Sequence, residues 1–233
     1  MSSMRRHWKR WLIAGVAVAA LLVVGGPYVY IHYIKDTAPS ELSIDDGQQS
    51  AGQDGTSARA GVEGAWKVGS GSQAGYRVDE VLFGQNTTAV GRTDKVTGDL
   101  TVKGTEATEG SFTVDLTSVK SDSVERDGQF RGGIMNTEKF PTATFELTRP
   151  VDFGSVPDVG KKVTAKASGR FTIHGVSKNV SFDLTAQRSA GAFRVQGSLP
   201  ITFADYGVES PNFGGITVEH EGTIEFLLTF LPA

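Results

Sequence analysis

The 233-residue sequence contains no cysteine. This absence excludes disulfide bridges, thiol nucleophiles, Cys-ligated zinc and the modified cysteine of a lipid-anchored lipoprotein. Runs rich in Lys and Arg are also lacking beyond the first ten residues, and the formal net charge is only -3. Because proteins that bind nucleic acids usually carry a basic patch, we predict no nucleic-acid partner.

Sequence signatures of catalysis are lacking as well. The chain has no Gly-x-Ser-x-Gly elbow, no His-Glu-x-x-His pair and no Gly-rich phosphate loop that opens a helix. The run Glu219-His220-Glu221 is a weak metal candidate, because strand alternation would place His220 on the face opposite the two carboxylates. We therefore predict no metal site, no cofactor and no enzymatic activity.

One long apolar run is present, at residues 11–34, and it contains no Asp, Glu, Lys or Arg. As a helix it would be about 36 Å long, enough to cross a hydrocarbon layer of about 30 Å. Because the preceding residues 1–10 are basic, the positive-inside rule predicts a cytoplasmic N-terminus and an extracytoplasmic remainder, held at the cell membrane by a single pass. A cleaved secretory signal has the same basic start and apolar run, and it stays the alternative.

The next segment, residues 35–64, consists mainly of Gly, Ser, Gln, Asp and Ala and has no aromatic residue. This composition predicts a flexible, solvated linker. The globular domain then covers residues 65–233.

Apolar and polar residues alternate through this domain, as expected of strands with one buried face. The run Ser111–Ser118 places Phe112, Val114 and Leu116 on one face, and Ile216–Phe230 reads as one long strand. Pairs such as Glu109-Gly110 and His174-Gly175 are typical of turns. The pattern predicts an all-β domain, an antiparallel sheet closed on itself or folded over, with short helical turns in the non-alternating stretch Ser121–Glu138 as a cap at one end.

Three ordered motifs carry a resemblance to the YceI-like family. The first is Trp66-Lys67-Val68, the second runs from Arg126-Asp127 to Phe140-Pro141-Thr142-Ala143-Thr144-Phe145, and the third is Gly169-Arg170-Phe171-Thr172-Ile173-His174-Gly175-Val176-Ser177-Lys178. The resemblance implies an extended, eight-stranded, lipocalin-like barrel with a helical cap, whose lumen holds a polyisoprenoid or similar long amphiphile. It also implies a possible homodimer. Gly132-Gly133-Ile134-Met135 and Ser70-Gly71-Ser72-Gln73 depart from the family pattern, so the cap and the mouth are expected to be shaped differently.

Small and aromatic residues on the same predicted inner face are candidates for the lining of a lumen. Such a slot would favour an alkyl or prenyl chain at about 25 cal/mol per Å² buried. The lining candidates are Phe112, Val114, Leu116, Phe145, Ala165, Ala167, Phe171, Phe182 and Phe226. The residues alone fit an ordinary filled core equally well, and only the resemblance favours a cavity.

Arg126 is the candidate for a ligand headgroup, where its guanidinium would meet an anion at the barrel mouth. The simpler interpretation is a local ion pair with Asp127 that holds the cap loop. We expect a membrane-anchored lipid-binding module with an isoprenoid or fatty-acid-like ligand, and the alternative is a structural or protein-interaction domain with a filled core.

Overall fold

The computed structural model describes residues 38–45, 62–82, 84–189, 191–210, 212–213 and 215–233. The predicted cytoplasmic segment 1–10, the predicted membrane helix 11–34 and most of the predicted linker lie outside these residues. Within the described ranges, no helix combines the length and the apolar character needed to span a bilayer.

The domain is built from strands with a short helical insertion. The strands are β1 (Gly64–Val68), β2 (Gln73–Leu82), β3 (Gln85–Thr93), β4 (Val96–Lys103), β5 (Glu106–Asp115), β6 (Thr142–Leu147), β7 (Val151–Asp152), β8 (Lys162–Ile173), β9 (Val176–Ser189), β10 (Ala192–Thr202), β11 (Asn212–Phe213), β12 (Ile216–Val218) and β13 (Glu221–Pro232). The helix α1 spans Val124–Gln129 and continues into a π-helical turn at Phe130–Ile134, and single 3-10 turns occur at Leu116–Ser118 and Phe203–Tyr206.

Eight of these strands close into an antiparallel barrel in the order β1-β4-β5-β6-β8-β9-β10-β13. Closure comes from β1, which pairs with β4 on one side and with the end of β13 on the other. β13 is long enough to pair with β2 as well, through Thr223–Leu227. The predicted all-β barrel of eight antiparallel strands with a short helical cap is confirmed.

Local sequence determines most of the strands, and three details differ from the predictions. His174-Gly175 forms the predicted β8–β9 turn, with positive φ of 54° and 76°. Glu109-Gly110, predicted as a turn, lies inside β5, where the missing side chain of Gly110 leaves room for Leu147. The predicted strand Ile216–Phe230 is interrupted after Val218, and Ser111–Ser118 ends in a 3-10 turn.

The cap begins at Ser123, whose hydroxyl accepts the N–H of Arg126 at 3.2 Å and so caps α1. Phe130 and Met135, at the two ends of the π-helical turn, are buried and belong to the main core cluster of the barrel. The cap is therefore anchored by apolar side chains that enter one end of the lumen.

Residues 38–45 lie along the outside of the barrel wall, and we call them the outer strap. Leu42 and the fully buried Ile44 pack on Leu227, an outward-facing residue of β13. Here the structure differs from the predicted solvated linker. The reason is that the segment's two branched apolar residues cover an apolar spot on the outer wall.

Polar contacts hold the outer strap at both ends. Glu225, 3% exposed on the outer face of β13, accepts hydrogen bonds from Arg92 Nε at 2.8 Å and from the Leu42 N–H at 3.4 Å. At the far end Lys162 pairs with Asp45 at 2.7 Å, and this hydrogen bond lowers the pKa of the Asp45 carboxyl. The outer strap thus provides hydrogen-bond and ion-pair partners for charged side chains on the outer face of the barrel.

Candidate functional site: an apolar lumen

A cavity of about 350 Å³ lies inside the barrel. This volume is at the lower end of the roughly 300–1,000 Å³ typical of pockets for small ligands. Its walls are almost entirely aliphatic and aromatic, and they come from the inward faces of the strands together with Phe130, Ile134 and Met135 of the cap. The lumen therefore offers a slender apolar chain a mostly apolar surface on which to pack.

The strand pleat places all but one of the predicted lining residues on this cavity. Those that line it are Phe112, Val114, Leu116, Phe145, Ala167, Phe171, Phe182 and Phe226. Ala165 does not line it and packs, half-buried, against the edge of the same core. The two-residue period predicted the correct face of β8, but it carries no information about position along the barrel axis. Ligand binding by these residues stays a prediction.

Rings of neighbouring strands contact one another around the lumen. Phe182 meets Phe145 edge-on with ring centroids 5.4 Å apart, and it meets Phe226 at 5.8 Å. Phe112 stacks with Phe145 at 6.4 Å. These are the preferred geometries for aromatic pairs, so the rings hold one another in place along the wall.

Glycines on adjacent strands explain why these rings leave the centre of the barrel open. Gly197 lies opposite Phe226, and a Cβ there would be only 2.5 Å from the ring. Gly91 lies opposite Tyr76 in the same way, with a distance of 2.4 Å. Gly98 lies opposite Phe112 in the same way, and Gly169, which pairs with Leu147, lies beneath the ring of Phe145. Each ring therefore lies on the bare backbone of the next strand rather than across the lumen.

The polar part of the lining is concentrated beneath the cap. Tyr76 stacks on Phe130 with centroids 5.2 Å apart. Burial raises the pKa of Tyr76 to about 12, so its hydroxyl stays protonated at neutral pH and remains a donor. Glu80 lies four residues after Tyr76, on the same inward face of β2, and is 5% exposed. Both residues also lie on the cavity.

Arg126 lies at this end of the cavity, but not with the predicted partner. Its guanidinium pairs with Glu80 at 2.9 Å and with Asp122, one helical turn earlier. The ion pair predicted with Asp127 is wrong, because consecutive helical residues point away from each other. The Asp127 carboxylate instead accepts the N–H and hydroxyl of Ser121, both at 2.7 Å.

Sequence reasoning missed many of the lining residues, among them Tyr76, Glu80 and those of the π-helical turn. Alternation through Ala74, Tyr76, Val78 and Leu82 was present in the sequence and would have identified β2. Glu80 breaks that pattern, and its partner Arg126 is 46 residues away in the chain. Among the described residues, no group of three or more His, Asp or Glu side chains is arranged to hold a metal ion.

Comparisons with known proteins identify a family and several relatives that this chain resembles. The sequence pattern of the YceI-like domain family matches residues 66–230. A UPF0312 protein of Pseudomonas aeruginosa is 31% identical over 114 residues, which are 46% of this chain and 56% of that protein. The chain therefore spans little more than half the length of the curated relatives that it matches.

Two solved structures share the fold. A polyisoprenoid binding domain from Saccharophagus degradans, implicated in plant cell wall breakdown, superposes with a TM-score of 0.59 and 23% identity, covering 72% of this chain and 98% of that one. BcnA of Burkholderia cenocepacia has a TM-score of 0.51 and 21% identity, covering 66% of this chain and 95% of that one. At these identities the likeness shows a common barrel architecture.

Proposed function

The chain belongs to the YceI-like family, and from that premise we propose that it is a lipid-binding protein that holds a polyisoprenoid or similar long-chain amphiphile in its lumen. The observation that carries the proposal is the apolar cavity of about 350 Å³ inside a closed barrel. Burial of an alkyl or prenyl chain there releases about 25 cal/mol per Å² of apolar surface without any specific polar contact. The polyisoprenoid-binding domain of Saccharophagus degradans supports the same ligand class.

The proposal includes a place for the protein in the cell. Residues 11–34 anchor it in the cell membrane, the N-terminus is cytoplasmic, and the barrel is extracytoplasmic. At this site the protein carries or presents its ligand next to the bilayer. We also propose that it acts without enzymatic chemistry, because the lining offers an apolar slot rather than a nucleophile with an oriented base.

The direct test is to identify what co-purifies with the full chain. Wild-type protein in nanodiscs is extracted with organic solvent and the extract is analysed by mass spectrometry. Ala167→Phe places a ring in the lumen, since Ala167 is fully buried on the cavity wall. Thr164→Phe is the matched control, because Thr164 is exposed on the outer face of the same strand.

We expect a long-chain amphiphile with wild type and with Thr164→Phe, and a several-fold smaller amount with Ala167→Phe. Lipids bound to the anchor are common to all three proteins and cancel in the comparison. Identical extracts from the three proteins would contradict the proposal and favour a structural or protein-interaction domain. An added ring in a packed interior can cost about 1–3 kcal/mol of stability. Circular dichroism is therefore used to check that both variants are folded.

A further inference from the structure

The two ends of the barrel differ, and the outer strap runs from one to the other. One end carries α1 and the β8–β9 turn, where the His174 ring contacts that of Phe140, just after the cap, with centroids 4.7 Å apart. We call it the capped end. At the opposite end, the far end, residues 153–161 lead into β8, which begins at Lys162. The strand registers place Lys162 in one row with Thr229, near the end of β13.

The outer strap begins at the capped end. Ala38 borders a surface groove together with Ser121 and Asp122, the residues that lead into α1. The carbonyl of the next residue, Pro39, accepts a hydrogen bond from Arg77 Nη2 at 2.6 Å. The first residues of the strap are therefore fixed beside the cap.

The outer strap ends at the far end. Leu42 and Ile44 pack on Leu227, near the middle of β13. Asp45 then pairs with Lys162, the first residue of β8, at 2.7 Å. The strap thus extends along the wall from the capped end to the far end.

The position of the proposed anchor gives this direction a consequence. The apolar run ends at residue 34, four residues before Ala38. Because four extended residues span at most about 14 Å, a docked strap holds the capped end close to the membrane surface. Without docking, the first strand residue after the run is Gly64, at the far end, where β1 pairs with the end of β13. A coil of the intervening 30 residues would span about 30 Å.

Exposed apolar side chains occur at both ends, so exposure alone does not choose between them. Val124, in the first turn of α1, is 77% exposed, and Val159 near the start of β8 is 54% exposed. Near Val124, the exposed Gly128, Gly132 and Gly133 have no heavy atom within 4 Å of a Cβ position, so lipid headgroups can approach the cap closely. The strap adds what Val159 lacks, a short connection to the anchor.

The lumen reaches the surface at the capped end. Of the described residues that line it, the exposed ones are Glu125 and Gln129 of α1 and Glu209, which follows the 3-10 turn Phe203–Tyr206. A capped end that faces the bilayer therefore turns this opening towards a source of long apolar chains. Such a chain can enter the lumen with less of its surface exposed to water on the way.

We propose that the docked outer strap holds the capped end of the barrel, with Val124 foremost, against the phospholipid bilayer that carries the anchor, and that undocking of the strap releases this end. The inference rests on the proposed anchor at residues 11–34. It goes beyond that anchor by assigning the surface of the barrel that meets the lipid and the segment that determines it.

The test places a reporter at each end of the cysteine-free chain. Val124→Cys and Val159→Cys are each labelled with the small uncharged fluorophore NBD. The full chain is reconstituted in phosphatidylcholine nanodiscs, with or without a nitroxide on the lipid headgroup, which quenches only fluorophores close to it. The twelve residues of β8, tilted in the wall, put the ends about 30 Å apart, so we expect quenching at least about threefold stronger at position 124 than at position 159.

Substitutions in the strap test the cause of this difference. Ile44→Asp should undock the strap, because an unpaired carboxylate is costly to bury. Replacement of residues 38–45 by a Gly-Ser sequence of equal length removes the docking contacts altogether. In both, the ratio of the two quenching values is expected to fall to about one, since a long coil no longer fixes which end faces the lipid.

Ser40→Asp is the matched control for the added charge. Ser40 is exposed, and its carbonyl rather than its side chain accepts the hydrogen bond from Arg92. The strap should therefore stay docked, and the quenching ratio should equal that of the unsubstituted strap. Circular dichroism checks that the barrel is folded in every variant.

The outcomes separate this inference from the proposed function. Equal quenching at the two positions with the unsubstituted strap, stronger quenching at position 159, or a ratio that survives replacement of the strap overturns the inference and leaves the anchor and the lipid ligand intact. A ratio lowered as much by Ser40→Asp as by Ile44→Asp also overturns it. A purified chain that lacks the apolar run overturns the proposed anchoring, and this inference with it.

Discussion

At the residue scale, the open lumen depends on glycines at least as much as on phenylalanines. A ring that leans over its neighbouring strand needs that strand to lack a Cβ, as Gly197 does beneath Phe226 and Gly91 does beneath Tyr76. Cross-strand aromatic–glycine pairs also recover packing that glycine alone loses. Gly197, placed within β10, therefore has a packing role rather than a turn role.

Gly197→Ala tests this pairing. The added Cβ would lie 2.5 Å from the Phe226 ring, so we expect the ring to swing into the lumen. The free energy of unfolding should fall by about 1–3 kcal/mol, as for other overpacked cores. The amount of co-purifying amphiphile should fall with it. Urea denaturation followed by circular dichroism, and mass spectrometry of the extract, measure the two effects.

Gly128→Ala is the matched control for this substitution. Gly128 lies within α1, and a Cβ there has no heavy atom within 4 Å. Alanine at this position should leave ligand capture unchanged and stabilise the helix by up to about 1 kcal/mol. If Gly197→Ala behaved like Gly128→Ala in both measurements, the rings would not depend on the glycines beneath them.

At the scale of elements, the outer strap is the feature that the local sequence predicts least well. Its residues 38–45 form no regular helix or strand, yet Ile44 is completely buried. Side chains from four strands bind its backbone, including Gln196, whose Oε1 accepts the Ile44 N–H at 2.5 Å. Because such contacts depend on the assembled wall, we expect the strap to dock and undock as a unit.

The strap can be tested by thiol labelling, since the chain has no native cysteine. Leu227→Cys places a thiol beneath the strap, at a position that is 4% exposed. Adding Ile44→Asp should undock the strap, because an unpaired carboxylate is costly to bury. We expect maleimide to label this cysteine at least about tenfold faster in the double variant, following the equilibrium between docked and open forms.

Leu231→Cys serves as the control, on the same strand and the same outer face but 41% exposed. Its labelling rate should be the same with and without Ile44→Asp. A Leu227→Cys thiol that reacted at one rate in both backgrounds would mean that the strap does not cover the wall in solution.

At the scale of the whole molecule, the barrel wall is closed, and we propose that residues 11–34 hold the barrel at the membrane. Closure by β1 leaves no long unpaired edge in the ring of eight strands, so the barrel does not need a partner chain to satisfy its backbone. The homodimer implied by the family resemblance stays a prediction.

The proposed topology can be tested in the same cysteine-free background. Thr164→Cys lies on the exposed outer wall, and Ser3→Cys lies before the apolar run. A maleimide that does not cross the cytoplasmic membrane should label Thr164→Cys in spheroplasts, and should label Ser3→Cys only after permeabilisation. If only Ser3→Cys were labelled in intact spheroplasts, the orientation would be the reverse of the proposed one. If the purified chain lacked Ser3, the apolar run would be a cleaved signal.

The sequence by itself determined which faces of the strands are buried, where the cap lies, and which family the domain resembles. These properties are local: the pleat alternates every two residues, the β8–β9 turn needs His174-Gly175 with positive φ, and the motifs are contiguous. Hence the lining residues Phe112, Phe145 and Phe182 could be selected without coordinates.

Only the tertiary structure decided that the lumen is open, that Arg126 is paired with Glu80, and that residues 38–45 lie on the wall. Each of these depends on the register between segments that are far apart in the chain. Whether a ring fills the centre or lies on a neighbour depends on the residue opposite it, and that residue is fixed by strand pairing. Local periodicity carries no information about such partners, because it specifies a face and not a position on it.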